Sequence, residues 1–130
     1  MRIFNTFRVS ASALTAERFR MDVIASNLAN AEVTRSGDGG PYLRKEVIFE
    51  PSEDGGVRVS KIIEDRNTPT RKVFQPEHPD ADENGFVEYP NVVVVNEMVD
   101  LMAALRAYEA NVTAINVSKE MARSALNIGG

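Results

Sequence analysis

Residues 96–128 read NEMVDLMAALRAYEANVTAINVSKEMARSALNI, with no proline or glycine anywhere in the stretch. Taken in steps of three and four, Met98, Leu101, Leu105, Tyr108, Val112, Ile115, Ala122 and Leu126 make one apolar seam, interrupted only by Lys119. A second line, Ala103, Ala107, Ala110, Ala114, Val117, Met121 and Ile128 with Ser124 in step, lies two residues away and therefore roughly 200° around a helix. Two nearly opposite faces ask for burial. A helix resting on its own domain needs one stripe, whereas a second stripe rich in alanine lets another helix approach closely. Asn96 is the expected N-cap, Glu97 and Asp100 suit the positive end of the helix dipole, and Gly129 and Gly130 mark the stop.

A matching segment begins the chain. Residues 5–30 again lack proline and glycine, and Phe4, Phe7, Ala11, Leu14, Met21, Ala25 and Leu28 keep the three-four spacing, with Arg18 as the one break. Its second line, Val9, Ala13, Ala16 and Val23, is interrupted by Arg20 and turns polar at Asn27 and Asn30. The glycines and proline of residues 34–41 end it.

Between the helices, residues 42–50 and 57–65 are rich in β-branched and aromatic side chains, and residues 51–56 supply a turn, which predicts a hairpin. Residues 67–90 carry Pro69, Pro76, Pro79 and Pro90, with short strands expected at 72–74 and 85–89. The expected fold is α+β and mainly α: long N- and C-terminal helices packed as a helical hairpin or coiled coil, with a small β-rich insert between them. Its three parts are residues 1–31, 32–95 and 96–130. A lone hairpin covers one face of each helix and leaves the Ala103 to Ile128 stripe in water, so the remaining partners are expected to be other chains. Helices of about 38 to 50 Å at 1.5 Å per residue suit a wall or a tube.

The bulk composition removes several functions. A net charge of -4 with scattered lysines and arginines argues against nucleic acid. The chain has no cysteine, and its one histidine, His78, sits in a rigid Pro-flanked stretch, so neither thiolate nor histidine catalysis is expected. The first six residues contain no apolar h-region, and the block Val92 to Val95 is too short to span a bilayer, so direct membrane insertion is not expected. Residues 80–85 resemble the first half of a calcium loop, but position twelve is Asn91, not a bidentate glutamate. A turn in which Asn84 and Gly85 supply positive φ is preferred, with no metal and no cofactor. Without an acid/base constellation or a phosphate-cradling loop, an enzyme is not expected.

Ser12-Ala13-Leu14-Thr15-Ala16 and Ala25-Ser26-Asn27-Leu28-Ala29-Asn30-Ala31 resemble the N-terminal signature of the flagellar axial proteins. Gly39-Gly40-Pro41-Tyr42, the run from His78 to Val87, Tyr89-Pro90-Asn91-Val92, Glu97-Met98-Val99 and the run from Arg106 to Val112 are similar to the small proximal-rod family within them, in the right order along the whole chain. The resemblance implies a structural subunit of the bacterial flagellar basal-body rod that helps transmit torque. Such a subunit is exported by the flagellar type III system without a cleaved signal peptide into a rod spanning the periplasm. Its implied partners are other copies of itself, sibling proximal- and distal-rod proteins and a membrane-ring or export-gate adaptor. In this family the terminal helices line the rod core and are poorly ordered before assembly, while the middle forms an outer domain. Val93 and Asn96 depart from the family's usual residues, which predicts a more strand-like start to the second helix, and Glu32 and Val33 replace a commoner polar run in the loop after the first helix.

Subunit packing is then expected of Phe7, Leu14, Met21 and Leu28, of Leu101, Leu105, Tyr108, Val112 and Ile115, and of Ala103, Ala107, Ala110, Ala114, Val117 and Met121. Asn27, Asn30, Asn111 and Asn116, amides on otherwise apolar helices, are expected to set the register between subunits. Arg18 and Lys119 are candidates for intersubunit pairs with Glu17, Asp22, Glu109 or Glu120. The competing reading is a soluble helical-hairpin adaptor or secretion chaperone, which would be compact and protease-resistant in dilute solution.

Overall fold

The computed structural model describes residues 2–37 and 39–129; Met1, Asp38 of the predicted glycine-rich break and Gly130 of the predicted stop lie outside the described residues. The order is α1 (Arg2–Ala29), β1 (Lys45–Pro51), β2 (Val57–Glu64), β3 (Arg71–Phe74), β4 (Phe86–Tyr89) and α2 (Val94–Gly129). The helices pack on each other. Contact between Asn27, near the end of α1, and Glu97, in the first turn of α2, makes the pair antiparallel. At 1.5 Å per residue α1 is about 42 Å long and α2 about 54 Å. The surplus falls at the far end, where residues 123–129 are all exposed.

The α2 face turned inward is not quite either predicted seam. Glu97, Ala104 and Ser118 are buried, and Leu101, Tyr108, Asn111, Ile115 and Ala122 are half-buried between and beyond them at heptad spacing. Half of the predicted first seam thus belongs to the contact, whereas Met98, Leu105 and Leu126 stand outside it. The reason is steric: small residues at the contact bring the two backbones close, so the largest side chains splay to the flanks. Nor does α2 begin at Asn96 or as a strand. It starts at Val94, with the Val93 carbonyl accepting from Glu97 N–H at 3.0 Å, and this start turns the Glu97 side chain into the interior.

β1 and β2 form the expected antiparallel hairpin, from Lys45 opposite Glu64 to Pro51 opposite Val57, with a bulge after Ile48. The hairpin lies along α1. Its turn is pinned by Ser12 of α1, whose hydroxyl accepts from Val57 N–H at 3.1 Å and donates to the Val9 carbonyl at 2.7 Å. A Cβ on Gly56 would stand 2.5 Å from that hydroxyl, so the approach itself demands glycine. β3 and β4 form a second hairpin, Arg71 opposite Tyr89 and Phe74 opposite Phe86. Of the predicted Asn84-Gly85 pair only Gly85 has positive φ. Neither β3 nor β4 packs on a helix. Where the insert meets the helices, Ala31, Tyr42 and Val92 form a small buried cluster with Val33 against it.

Candidate assembly interface

Two kinds of surface divide the helix pair. At the end nearest the insert, polar groups are buried and paired. Asn27 is 0% exposed and uses its whole amide. Its Oδ1 accepts from Tyr42 O–H at 2.7 Å and Lys45 N–H at 2.9 Å, and its Nδ2 donates to the Lys45 carbonyl at 2.9 Å and to Glu97 Oε2 at 3.2 Å. Glu97, 1% exposed, also accepts from Arg44 Nε at 2.5 Å. Arg44 reaches Glu46 as well, and Asp65 at 3.2 Å.

Burial works against the charge on Arg44, but the hydrogen bonds and negative charges of Glu46 and Glu97 outweigh it and hold its pKa above the usual arginine value. Asp65 is held below the usual carboxylate range, foremost by the Thr68 hydroxyl and backbone N–H, which outweigh the opposing effect of burial, with smaller help from the Asn67 N–H and Arg44. A buried ion pair left half-made is strongly destabilising, and this one has all its neighbours present.

At the other end the pattern reverses. Phe4, Phe7, Val117, Met121 and Leu126 are exposed, and Ile128 is 88% exposed. The outer side of α2 near the insert is also uncovered, at Val95, Met98, Val99, Met102 and Leu105. Total accessible surface is 8959 Å², against roughly 6,800 Å² for a compact monomer of 14.3 kDa. The surplus of about 2,100 Å² is more than twice the roughly 800 Å² that a standard interface hides on one partner. No described helix is long and apolar enough to cross a membrane.

The predicted packing residues fall on both surfaces. Leu14, Met21, Leu28, Leu101, Tyr108, Val112, Ile115, Ala107 and Ala114 are half-buried, whereas Phe7, Leu105, Ala103, Ala110, Val117 and Met121 are exposed. The amides separate likewise. The Asn27 side chain, expected to reach a neighbouring subunit, is used up within the chain, where it registers β1 against both helices. Asn30 Nδ2 donates to the Ser26 carbonyl at 2.7 Å and Asn111 Nδ2 to the Ala107 carbonyl at 2.8 Å, each half-buried, and Asn116 is exposed. Two of the acids proposed as intersubunit partners have mates in their own chain: Glu17 pairs with Arg20 at 2.9 Å and Glu120 with Arg123 at 3.2 Å. Arg18 and Lys119 are exposed.

The acidic loop behaves as a turn. Asp82 Oδ1 accepts from the backbone N–H of Asn84 at 2.8 Å and Phe86 at 2.9 Å, and Asp80 takes the Thr34 hydroxyl at 2.6 Å and Arg35 at 2.6 Å. These donors hold both carboxyls below their usual range, the Thr34 hydroxyl foremost at Asp80 and the Phe86 N–H at Asp82. Among the described residues no group of three or more acidic or histidine side chains is placed to hold a metal ion. Sequence reasoning missed Arg44, Asn91 and Tyr42, which have no periodicity to betray them. The one available signal was an arginine between two apolar strand residues, Leu43 and Val47, with a lysine and a glutamate beside it.

Comparison with known proteins covers both helices and the whole chain. The model of the flagella basal body rod protein family matches residues 7–35, and that of the flagellar basal body rod FlgEFG protein C-terminal family matches residues 83–128. The flagellar basal-body rod protein FlgC of Borreliella burgdorferi is 43% identical, over 98% of each chain. Those of Bacillus subtilis, at 44%, and Salmonella typhimurium, at 43%, are matched over 99% of each chain. A chain with two long helices whose outer faces lie uncovered offers surface for other helices, and it belongs to the FlgC family of flagellar basal-body rod proteins, a family of non-enzymatic structural subunits of the rod.

Proposed function

We propose that the chain enters the rod through the outer faces of its terminal helices, packing against other copies of itself and sibling proximal- and distal-rod proteins, with an adaptor at the membrane ring. In this reading α1 and α2 form the rod core, residues 32–95 form the outer domain, and the assembled tube carries torque. Export through the flagellar type III system delivers the chain unfolded, and the helices complete their packing on arrival. The observation that carries the reading is the uncovered apolar surface of α2, from Met98 and Leu105 to Met121 and Ile128. An exposed apolar surface of this extent marks an interaction site, and its alanines Ala103 and Ala110 admit a helix at close range. Exposed Phe7, Val117 and Met121 are assigned to neighbours, as are Asn116, Arg18 and Lys119.

The test is replacement of the native copy in a motile cell by Met121→Glu and, separately, Ala110→Leu. Both variants should be exported and soluble but give no complete rod and no swimming. Full rods and normal swimming from both would refute assembly through this face.

A further inference from the structure

The insert is connected to the helix pair by two single strands, residues 30–44 leaving α1 and residues 90–93 leading to α2. Two strands alone would let it swing. The β1–β2 hairpin is held along α1 by Ser12 and Asn27, and the two segments are tied to each other at the Ala31, Tyr42 and Val92 cluster and, through polar groups, at Arg44. Arg44, in the first strand, donates its backbone N–H to Asn91 Oδ1 in the second at 2.7 Å. The same residue sends its guanidinium to Glu97 of α2 at 2.5 Å and to Asp65, just after β2, at 3.2 Å. Asn91 returns Nδ2 donations to the carbonyls of Asp65 at 2.7 Å and Thr68 at 3.0 Å. Both connecting segments, the residue after β2 and the first turn of α2 therefore meet at one residue, Arg44, the second segment through its backbone N–H and the other two through its guanidinium.

We infer that Arg44, gripped by Glu97, is a positioning residue that locks the angle between the insert and the helices, so that the subunit passes load between them as one body. The inference rests on the rod reading above for its purpose, but not for its geometry. A guanidinium suits the task because its planar fork directs several N–H groups at once and stays charged. A hinge of the usual kind absorbs backbone rotation in loosely held residues, whereas here Asn91 and Glu97 are buried with their polar atoms bonded. The β3–β4 hairpin depends on this joint most, since it leans on neither helix. Its other ties, Asp80 to Thr34 and Arg35 and Arg71 to Glu32, end on the segment after α1 and not on a helix.

The chain has no cysteine, so spin labels can be placed at Ala25→Cys on the outside of α1 and Lys72→Cys on β3. Distances between them, measured on the isolated full chain, should form one narrow population. Arg44→Gln should lose that single population with the β circular dichroism unchanged. Arg44→Lys, which keeps the charge without the fork, should broaden it less, and Asp100→Asn, an exposed group 3.9 Å from Arg44, should leave it as it was. A distribution as narrow in Arg44→Gln as in the parent would overturn the proposal. Should that variant not fold, equally narrow distributions in both Arg44→Lys and Glu97→Gln would overturn it. Because no assembly is involved, a failed rod test and a failed joint test are told apart.

Discussion

The two ends of the helix pair are built on opposite terms. Next to the insert, the interface is specified by polar groups that find every partner inside the chain: Asn27, Tyr42, Arg44, Glu97 and the backbone of Lys45. At the far end, small residues such as Ser10 and Ser118 are buried, while Phe4, Phe7, Met121 and Ile128 face outward. Buried and fully bonded polar groups fix one arrangement, because any slip leaves donors and acceptors unpaired. Exposed apolar surface fixes nothing until something covers it. The difference teaches that the junction is completed within the chain, whereas the far end, like the outer side of α2, is left uncovered.

The comparison breaks most readily at Asn27. Asn27→Ala strands the Tyr42 hydroxyl, both backbone groups of Lys45 and one oxygen of Glu97, and each unpaired buried group costs about 1–3 kcal/mol. Allowing for relaxation, a loss of about 3–5 kcal/mol is expected, a large part of a small domain's stability. Urea unfolding checks it, and a loss under about 1 kcal/mol would mean that the near end is held by something else. Ala104, 0% exposed in the contact, comes next. Ala104→Leu should destabilise the isolated chain by about 1–3 kcal/mol by overpacking. Exposed Ala110→Leu should stay within about 0.5 kcal/mol in the same assay and act only on assembly.

Ser12→Ala tests a pin that ties the insert to the far half of α1, leaving Val57 N–H without its acceptor. About 1 kcal/mol should be lost, with faster amide exchange confined to the β1–β2 turn. Smallest is the effect of acid. Asp65 has a depressed pKa in the folded chain, so its stabilisation is present above the ordinary carboxylate value near 4 and fades as pH falls through the folded value. Urea titrations below about pH 4 should show the junction weakening, and Asp65→Asn should flatten that dependence while lowering stability at neutral pH.

Much of this architecture is legible in the sequence because helices and hairpins advertise themselves by period and by turn residues. The four strands and both helices fall within a few residues of where Val57, Phe74, Phe86 and the break after Asn30 place them. The contacting face of α2 is harder to read. Periodicity marks large apolar residues, and Met98 and Leu105 fit the period, but the contact selects the small residues Ala104 and Ser118 one position away. The junction was almost silent. Tyr42 and Arg44, neighbours in one segment, meet Asn27, Asn91 and Glu97 from segments far apart in the chain, and no local pattern encodes that meeting. Glu97 was visible only as an acid suited to a helix start, a role that its burial against Arg44 supersedes.

Hydrogen exchange along both helices, first in the dilute monomer and then in assembled rods, tests the division most directly. Amides of residues 17–29 and 97–108 should be protected in the monomer, while those of residues 4–12 and 115–128 should exchange readily and become protected only on assembly. Uniform protection of both helices in the monomer, unchanged in the rod, would contradict the account and return the chain to a self-sufficient helical hairpin.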